Sequence, residues 1–230
     1  MKSDVDKIMD SLMVYISVTI MGIGAYYTPP IATWICDKRY DENRKEVGEK
    51  WLGRWISLLI GSSMAFLLVR EEKWGLFLLL NFILIWLTLI LIWTDLRSRR
   101  IPNLITYPGI VLFAGYRMLY DFHHFIDYFL VFSITFGLLY VICRVTNGLG
   151  VGDAKLLAMA SWILGLKGIW LAFWMGSCLA LIYWCVRYLL KNPIPKMERI
   201  AFAPFLSIGI WLTLLEKDLL WDRYISWFHF

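Results

Sequence analysis

The chain has 230 residues, of which 60% are hydrophobic and 18% charged, and its formal net charge is +5. Its apolar residues form long uninterrupted runs rather than amphipathic patterns, which excludes an ordinary water-soluble core. We interpret the basic charge as a signal of membrane topology and an attraction to anionic lipid headgroups, and we expect no nucleic-acid partner.

The apolar runs predict membrane-spanning segments. The cleanest is Gly75 to Thr94, which carries no charge and has the length of about 20 residues that a spanning helix needs. Lipid offers no hydrogen-bond partner to the backbone, and continuous runs exclude the alternating pattern of a β-barrel. We therefore predict an all-α polytopic integral membrane protein with about eight transmembrane helices in a lipid bilayer. The predicted spans are 11–35, 52–69, 75–94, 104–120, 126–143, 154–166, 168–190 and 200–216.

The distribution of charge predicts the orientation of these spans. The loops after the first, third, fifth and seventh spans, with the adjacent span ends, hold fifteen of the 23 basic residues and eight of the 18 acidic ones. Cytoplasmic loops are enriched in Lys and Arg. These four loops are therefore expected in the cytoplasm, and both termini outside.

The domain organisation is predicted to be simple. We expect one membrane-embedded domain over 1–230, with a short charged cytoplasmic loop at 36–54 in which eleven of nineteen residues are charged. The four cysteines contain no C-x-x-C pair, so we expect no zinc site, no other metal, no cofactor and no disulfide framework. The sequence does not define an oligomeric state.

Asp95 is the first candidate for chemistry. It follows the cleanest apolar run, and Pro102 disfavours helix in the residue before it, so the third helix should end between Asp95 and Pro102. A carboxylate at this place lies at the membrane boundary. Taken alone, such a residue is more often a solvated juxtamembrane acid than a catalyst.

Asp153 is the second candidate. It follows three alternating glycines, Gly148, Gly150 and Gly152, and leads into an apolar helix. Asp153 would make a good helix N-cap, which explains the acid but not the glycines. The glycines permit unusual backbone angles and the close approach of another segment.

The third and fifth loops, which carry the two acids, are predicted on the same side of the membrane. Aspartic peptidases need two carboxylates that share a proton, one to draw a proton from water and the other to polarise the scissile carbonyl. Asp95 and Asp153 are thus candidate catalytic residues. Lys155 could orient a substrate or simply mark the headgroup region.

Three segments together resemble the type IV prepilin peptidases. They are Asp95 followed by Ile101-Pro102-Asn103-Leu104-Ile105-Thr106, the run G-L-G-V-G-D-A-K-L over 148–156, and Ala201-Phe202-Ala203-Pro204-Phe205-Leu206-Ser207-Ile208-Gly209. The similarity covers roughly residues 75–212, and the order, spacing and sidedness of the segments agree with that family.

The resemblance implies a membrane aspartic peptidase of the GxGD type, with Asp95 and Asp153 as its catalytic pair. Its partners would be prepilin or pseudopilin substrates, whose short basic leader it would remove at the cytoplasmic face. In that family cleavage commonly follows a glycine just before the apolar helix of the prepilin. The remaining residues of the matching segments would shape the loops or contact substrate: Gly148, Gly150, Gly152, Lys155, Pro102 and Asn103.

The chain also departs from the family. Many members carry a cytoplasmic domain with two C-x-x-C pairs that bind zinc, and they also methylate the new N-terminus. Here the corresponding loop has only Cys36. This departure puts methyltransferase activity in doubt.

Two other classes of protein remain open on sequence grounds. A transporter or channel could use Asp95 and Asp153 as ion or proton ligands, although transport sites are expected near the bilayer midplane and these acids lie near span ends. A catalytically silent scaffold would need the spans and the basic loops but no aspartate pair. Replacing either aspartate by Asn distinguishes the peptidase from the scaffold.

Overall fold

A computed structural model describes the backbone of residues 4–40, 51–71, 75–146, 150–190 and 201–228. Throughout these ranges the regular structure is helical and no strand occurs, as predicted. A helix satisfies the backbone hydrogen bonds of its interior residues within the same segment, as a bilayer requires. The helices are α1 (Asp4–Tyr26), α2 (Thr28–Tyr40), α3 (Trp51–Glu71), α4 (Leu76–Ser98), α5 (Asn103–Tyr120), α6 (Phe122–Thr146), α7 (Val151–Leu189) and α8 (Ala203–Phe228).

Five segments of the described chain are long and apolar enough to cross a membrane, so this is a multi-pass membrane protein. These segments are Leu12–Asp37, Leu52–Val69, Leu76–Ser98, Phe122–Thr146 and Val151–Leu189. The prediction of eight crossings is not confirmed by this count and stays a prediction.

The segment predicted as one span over 11–35 is two helices. α1 ends at Tyr26, and α2 begins at Thr28 with Pro29 and Pro30 in its first turn. Proline has no N–H to bond to the preceding turn, but it fits the start of a new helix. The pair of prolines therefore explains the interruption.

Two compact units make up the structure, Met1–Trp93 and Thr94–Phe230. In the first unit α1 packs along α3, and two indole side chains of α4 donate hydrogen bonds: Trp86 to the Gly24 carbonyl at 3.0 Å and Trp93 to the Ser57 hydroxyl at 2.7 Å. In the second unit α7 contacts α5, α6 and α8. That the chain forms one domain over 1–230 stays a prediction, and most of its charged loop at 36–54 lies outside the described residues.

α7 carries a sharp break where the sequence predicted a boundary between two spans. At about 1.5 Å per residue, its 39 residues would measure about 58 Å as a straight helix, far beyond the ~30 Å apolar core of a bilayer. Gly165 interrupts it with φ 66° and ψ −174°, a conformation that is essentially restricted to glycine.

The side chain of Arg117 caps the C-terminal end of the helix that stops at this break. Its Nε donates to the Trp162 carbonyl at 3.0 Å, and its Nη1 donates to Asp121 at 2.7 Å. The guanidinium also lies 3.7 Å from the ring centre of Tyr128. A cation at a helix C-terminus interacts favourably with the helix dipole. The hydrogen bond with His124 lowers the pKa of the Asp121 carboxyl, and the hydrogen bond from Arg117 lowers it further. Asp121 therefore stays ionised as the partner of Arg117.

We expect Gly165→Ala to destabilise the protein by about 1–3 kcal/mol, because a Cβ strains the backbone at this φ and ψ. The measurement is thermal unfolding of the purified protein in detergent. Gly137→Ala is the matched control, since a Cβ at this helical glycine meets no atom within 4 Å. Equal stability of the two variants would contradict the assigned backbone strain.

Candidate functional site

Asp95 lies in the last turn of α4, which ends at Ser98, within the predicted interval. The residue after the helix, Arg99, has φ 51° and donates its N–H to the Asp95 carbonyl at 2.8 Å, a left-handed helix ending. Asp95 is only 6% exposed. The interpretation of Asp95 as a solvated juxtamembrane acid is therefore wrong, because protein encloses this carboxylate.

The N-terminus of α8 binds the Asp95 carboxylate. The Ala203 N–H donates to Oδ2 at 3.0 Å, and the Phe202 N–H also forms a hydrogen bond with this carboxylate. The first N–H groups of a helix have no partner within the helix, and the positive end of the helix dipole favours an anion. Asp95 therefore acts as a cap for a helix 108 residues further along the chain.

Asp153 is the third residue of α7, with 8% of its surface exposed. Its Oδ2 accepts a hydrogen bond from the Gly150 N–H at 3.2 Å, and the Asp153 N–H donates to the Gly150 carbonyl at 3.0 Å. The expectation that Asp153 is the N-cap is wrong. Gly150 occupies that position in an extended conformation, and Asp153 reaches back to it from the first turn.

Both aspartates lie at helix ends in the same compact unit. Both are buried, and the segment that follows Asp95 contacts the first turn of α7, where Ile101 approaches Gly152 and Asn103 bonds to Lys155. Each carboxylate accepts backbone N–H groups at the start of a helix, Asp95 from α8 and Asp153 from α7. Two interacting carboxyl groups can hold one proton between them and titrate as a unit.

The predicted loop glycines allow a close approach near the site. A Cβ built on Gly152 would lie 2.8 Å from the Cβ of Ile101, and one built on Gly150 would lie 3.0 Å from Oδ2 of Asp153. Side chains at these positions would press on the segment after α4 and on the carboxylate itself. Gly148 lies outside the described residues, so its role stays a prediction.

Lys155 and Asn103, both expected near substrate or loops, contact each other. The Lys155 Nζ donates to Oδ1 of Asn103 at 2.8 Å and lies 4.9 Å from the ring centre of Tyr107. Pro102 is the N-cap residue of α5, with φ −72° and ψ 131°. This hydrogen bond ties the start of α5 to the first turn of α7, which also carries Asp153.

Sequence reasoning missed three contributors to the site: the backbone of Phe202 and Ala203, Ile101 as the neighbour of Gly152, and Tyr107 beside Lys155. The segment 201–209 had been singled out only by resemblance. A backbone N–H donor cannot be recognised from a side chain. The available signal was the Pro at the second position of α8, because it marks the helix start whose N–H groups bind Asp95.

Within the described part of the chain, no group of three or more His, Cys, Asp or Glu side chains is arranged to hold a metal ion. The four cysteines are free thiols. The segment 41–50 of the charged loop is outside the described residues, so the expected lack of zinc stays a prediction.

The fold and the site together define a multi-pass helical membrane protein with two buried aspartates at helix ends. Residues 82–185 match the type IV leader peptidase family. This segment contains both aspartates, and the match confirms the resemblance to the type IV prepilin peptidases.

Curated relatives show the same similarity. The chain is 28% identical over 134 residues to a prepilin leader peptidase/N-methyltransferase of Bacillus subtilis (strain 168), covering 58% of this chain and 54% of that protein. It is 29% identical over 161 residues to the protein of the same name from Aeromonas salmonicida (strain A449), covering 66% and 54%. The chain therefore spans about half the length of these relatives. No solved structure matches it.

Proposed function

We propose that this protein is a membrane aspartic endopeptidase that removes the short basic leader of type IV prepilin-like proteins. The observation that carries the proposal is the burial of two aspartates, Asp95 and Asp153, at helix ends of one compact unit. It agrees with the family of the segment 82–185 and with the names of the relatives. Prepilins or pseudopilins are the proposed substrates.

The mechanism assigns a shared proton to the aspartate pair. One ionised carboxylate takes a proton from water, and the resulting hydroxyl attacks the carbonyl carbon of the scissile peptide bond. The other carboxyl group, protonated, donates a hydrogen bond to the carbonyl oxygen as negative charge develops there. Collapse of the tetrahedral intermediate transfers a proton to the leaving amine, and the pair returns to its singly protonated state.

The surrounding residues hold this pair in place. Gly150 contributes the N–H that Asp153 accepts, and Gly152 lets Ile101 approach the first turn of α7. Lys155, held by Asn103, places a positive charge two residues from Asp153. We assign to Lys155 the orientation of the substrate backbone beside the pair.

We place the active site at the cytoplasmic face of the inner membrane, with both termini outside. The support is the concentration of Lys and Arg in the same predicted loops as the two aspartates. A leader that carries positive charge would remain on that side, because cationic segments cross the membrane poorly. The apolar helix of the substrate would then lie in the bilayer, with its cleavage site at the boundary.

The test is co-expression with a prepilin-like substrate, followed by a gel shift and N-terminal sequencing. We expect leader loss only when the protein is present, with the new N-terminus directly after the glycine that precedes the apolar helix. Membranes without the protein are the control. Uncut substrate across a panel of prepilins and pseudopilins, with the protein present at confirmed levels, would contradict the proposal.

We also propose that cleavage needs no zinc, since the chain has no C-x-x-C pair. Treating membranes with EDTA or 1,10-phenanthroline should leave the rate of leader loss unchanged, while an added zinc protease in the same membranes loses its activity. Inhibition that Zn²⁺ reverses would show that a metal takes part. Methyl transfer, which the relatives' names include, is not part of this proposal.

A further inference from the structure

The two aspartates differ in where their hydrogen-bond donors come from. Asp153 is held by Gly150, three residues away in the same helix start, so its partner is present whenever α7 forms. Asp95 instead depends on Ala203 and Phe202, more than a hundred residues away. Its orientation therefore requires α8 to be in place.

The first N–H groups of α8 can be accounted for in full. Phe205 and Leu206 donate to the Phe202 carbonyl at 3.1 and 3.2 Å, Pro204 has no N–H, and the N–H groups of Phe202 and Ala203 bond to Asp95. The Ala203 donor is buried, and its residue has no exposed surface. A buried N–H without an acceptor is costly, so the helix start and the carboxylate stabilise each other.

Close packing fixes α8 against the second half of α7. A Cβ built on Gly176 would lie 3.0 Å from the Cα of Leu206, and one on Gly209 would meet the carbonyl oxygen of Ala172. Small residues at such contacts let two helix backbones approach closely in a membrane. The rings of Tyr183 and Phe205 add a contact at 5.4 Å between centroids.

We propose that the start of α8 is a positioning element for catalysis, in which the Ala203 N–H, with that of Phe202, orients the Asp95 carboxylate toward the reacting water and carbonyl. The element acts through Asp95 and is assigned no contact with substrate. It lies outside the segment 82–185 that matches the family. The effect of this element on catalysis rests on the proposed peptidase function. The hydrogen bond between Ala203 and Asp95 is independent of that function.

The discriminating variant is Ala203→Pro. Proline removes the N–H that Asp95 accepts, yet it is well tolerated at the first position of a helix. Ala203→Val adds the same number of carbon atoms to this buried site and keeps the N–H, so it is the matched control. Lactic acid incorporated in place of Ala203 replaces the N–H by an ester oxygen without adding bulk.

We expect Ala203→Pro to lower kcat for leader cleavage by roughly tenfold or more relative to Ala203→Val, with KM unchanged between the two. Equal kcat values for these two variants would overturn the proposal. If both fail to fold, the ester variant decides: a loss of kcat with KM retained supports the positioning role, and a wild-type kcat overturns it.

Thermal unfolding provides a readout that does not need a cleavable substrate. The ester substitution should lower Tm by roughly 2–4 °C in the wild-type background and by a smaller amount in Asp95→Ala, because the acceptor is already gone there. Equal shifts in both backgrounds would overturn the coupling. A coupled Tm together with no cleavage by the wild type would instead reject the peptidase function and keep the contact.

Discussion

Asp95→Asn and Asp153→Asn are each expected to reduce leader cleavage by at least about 10³-fold, because an amide cannot take or give the proton that the pair shares. Both changes preserve side-chain shape. The Asn carbonyl can still accept the N–H of Ala203 or Gly150, so the fold should survive. The measurement is the single-turnover rate of leader loss at matched membrane levels of each protein.

Asp127→Asn is the control for these two variants, since Asp127 is an exposed aspartate on α6. We expect it to cleave at the wild-type rate. Full cleavage by either active-site variant would contradict the aspartic mechanism. A transporter would instead show a response of ion flux to the same two changes, in the absence of any leader cleavage, which separates the two functions.

The helical class and several helix ends could be predicted from local sequence, because lipid leaves the backbone few alternatives. The end of α4 before Pro102 and the break in α7 near its predicted boundary are both present. The turn at Tyr27 was not foreseen, since apolar residues continue on both sides of it and hydropathy does not distinguish one helix from two. The prolines that follow were the available signal.

The pairing of Asp95 with Asp153 is a prediction from the shared side of their loops and from the family resemblance, and the structure adds that both residues are buried in one compact unit. The geometry around them was less predictable. α7 begins three residues earlier than predicted, which makes Gly150 and not Asp153 the N-cap, and helix ends are the least certain part of any prediction from sequence. The bond from Ala203 to Asp95 was beyond local reasoning, since it depends on how α8 packs against α7.

Contacts between side chains of different helices were also not predictable from local sequence. Lys155 and Asn103 were both selected as site residues, but nothing in their sequence separation of 52 positions indicated that they bond to each other. The glycine series was easier to interpret, because three alternating glycines before a helix imply close approach of another segment. Which segment approaches, the one that contains Ile101, required the structure.

Gly152→Ala is expected to lower kcat/KM for leader cleavage by roughly 10²-fold, although it adds a single methyl group. The new Cβ would lie 2.8 Å from the Cβ of Ile101, an atom that cannot rotate away from its own backbone. One of the two segments must then shift, and we expect the first turn of α7 to move and to displace Asp153 in the next position. Displacing a catalytic group by about 1 Å can cost this much in rate. Gly137→Ala, with open space around its Cβ, should retain wild-type activity.

A second change identifies the cause of the loss. Ile101→Gly removes the three atoms nearest to the new methyl group, Cβ, Cγ1 and Cδ1 of Ile101, so combining it with Gly152→Ala should recover a substantial part of the lost activity. A double variant as inactive as Gly152→Ala would show that the loss does not come from this contact. Wild-type activity of Gly152→Ala alone would show that the segment after α4 has room to yield. Recovery by the pair would tie the position of Asp153 to the fit between Gly152 and Ile101, which explains a glycine directly before a catalytic aspartate.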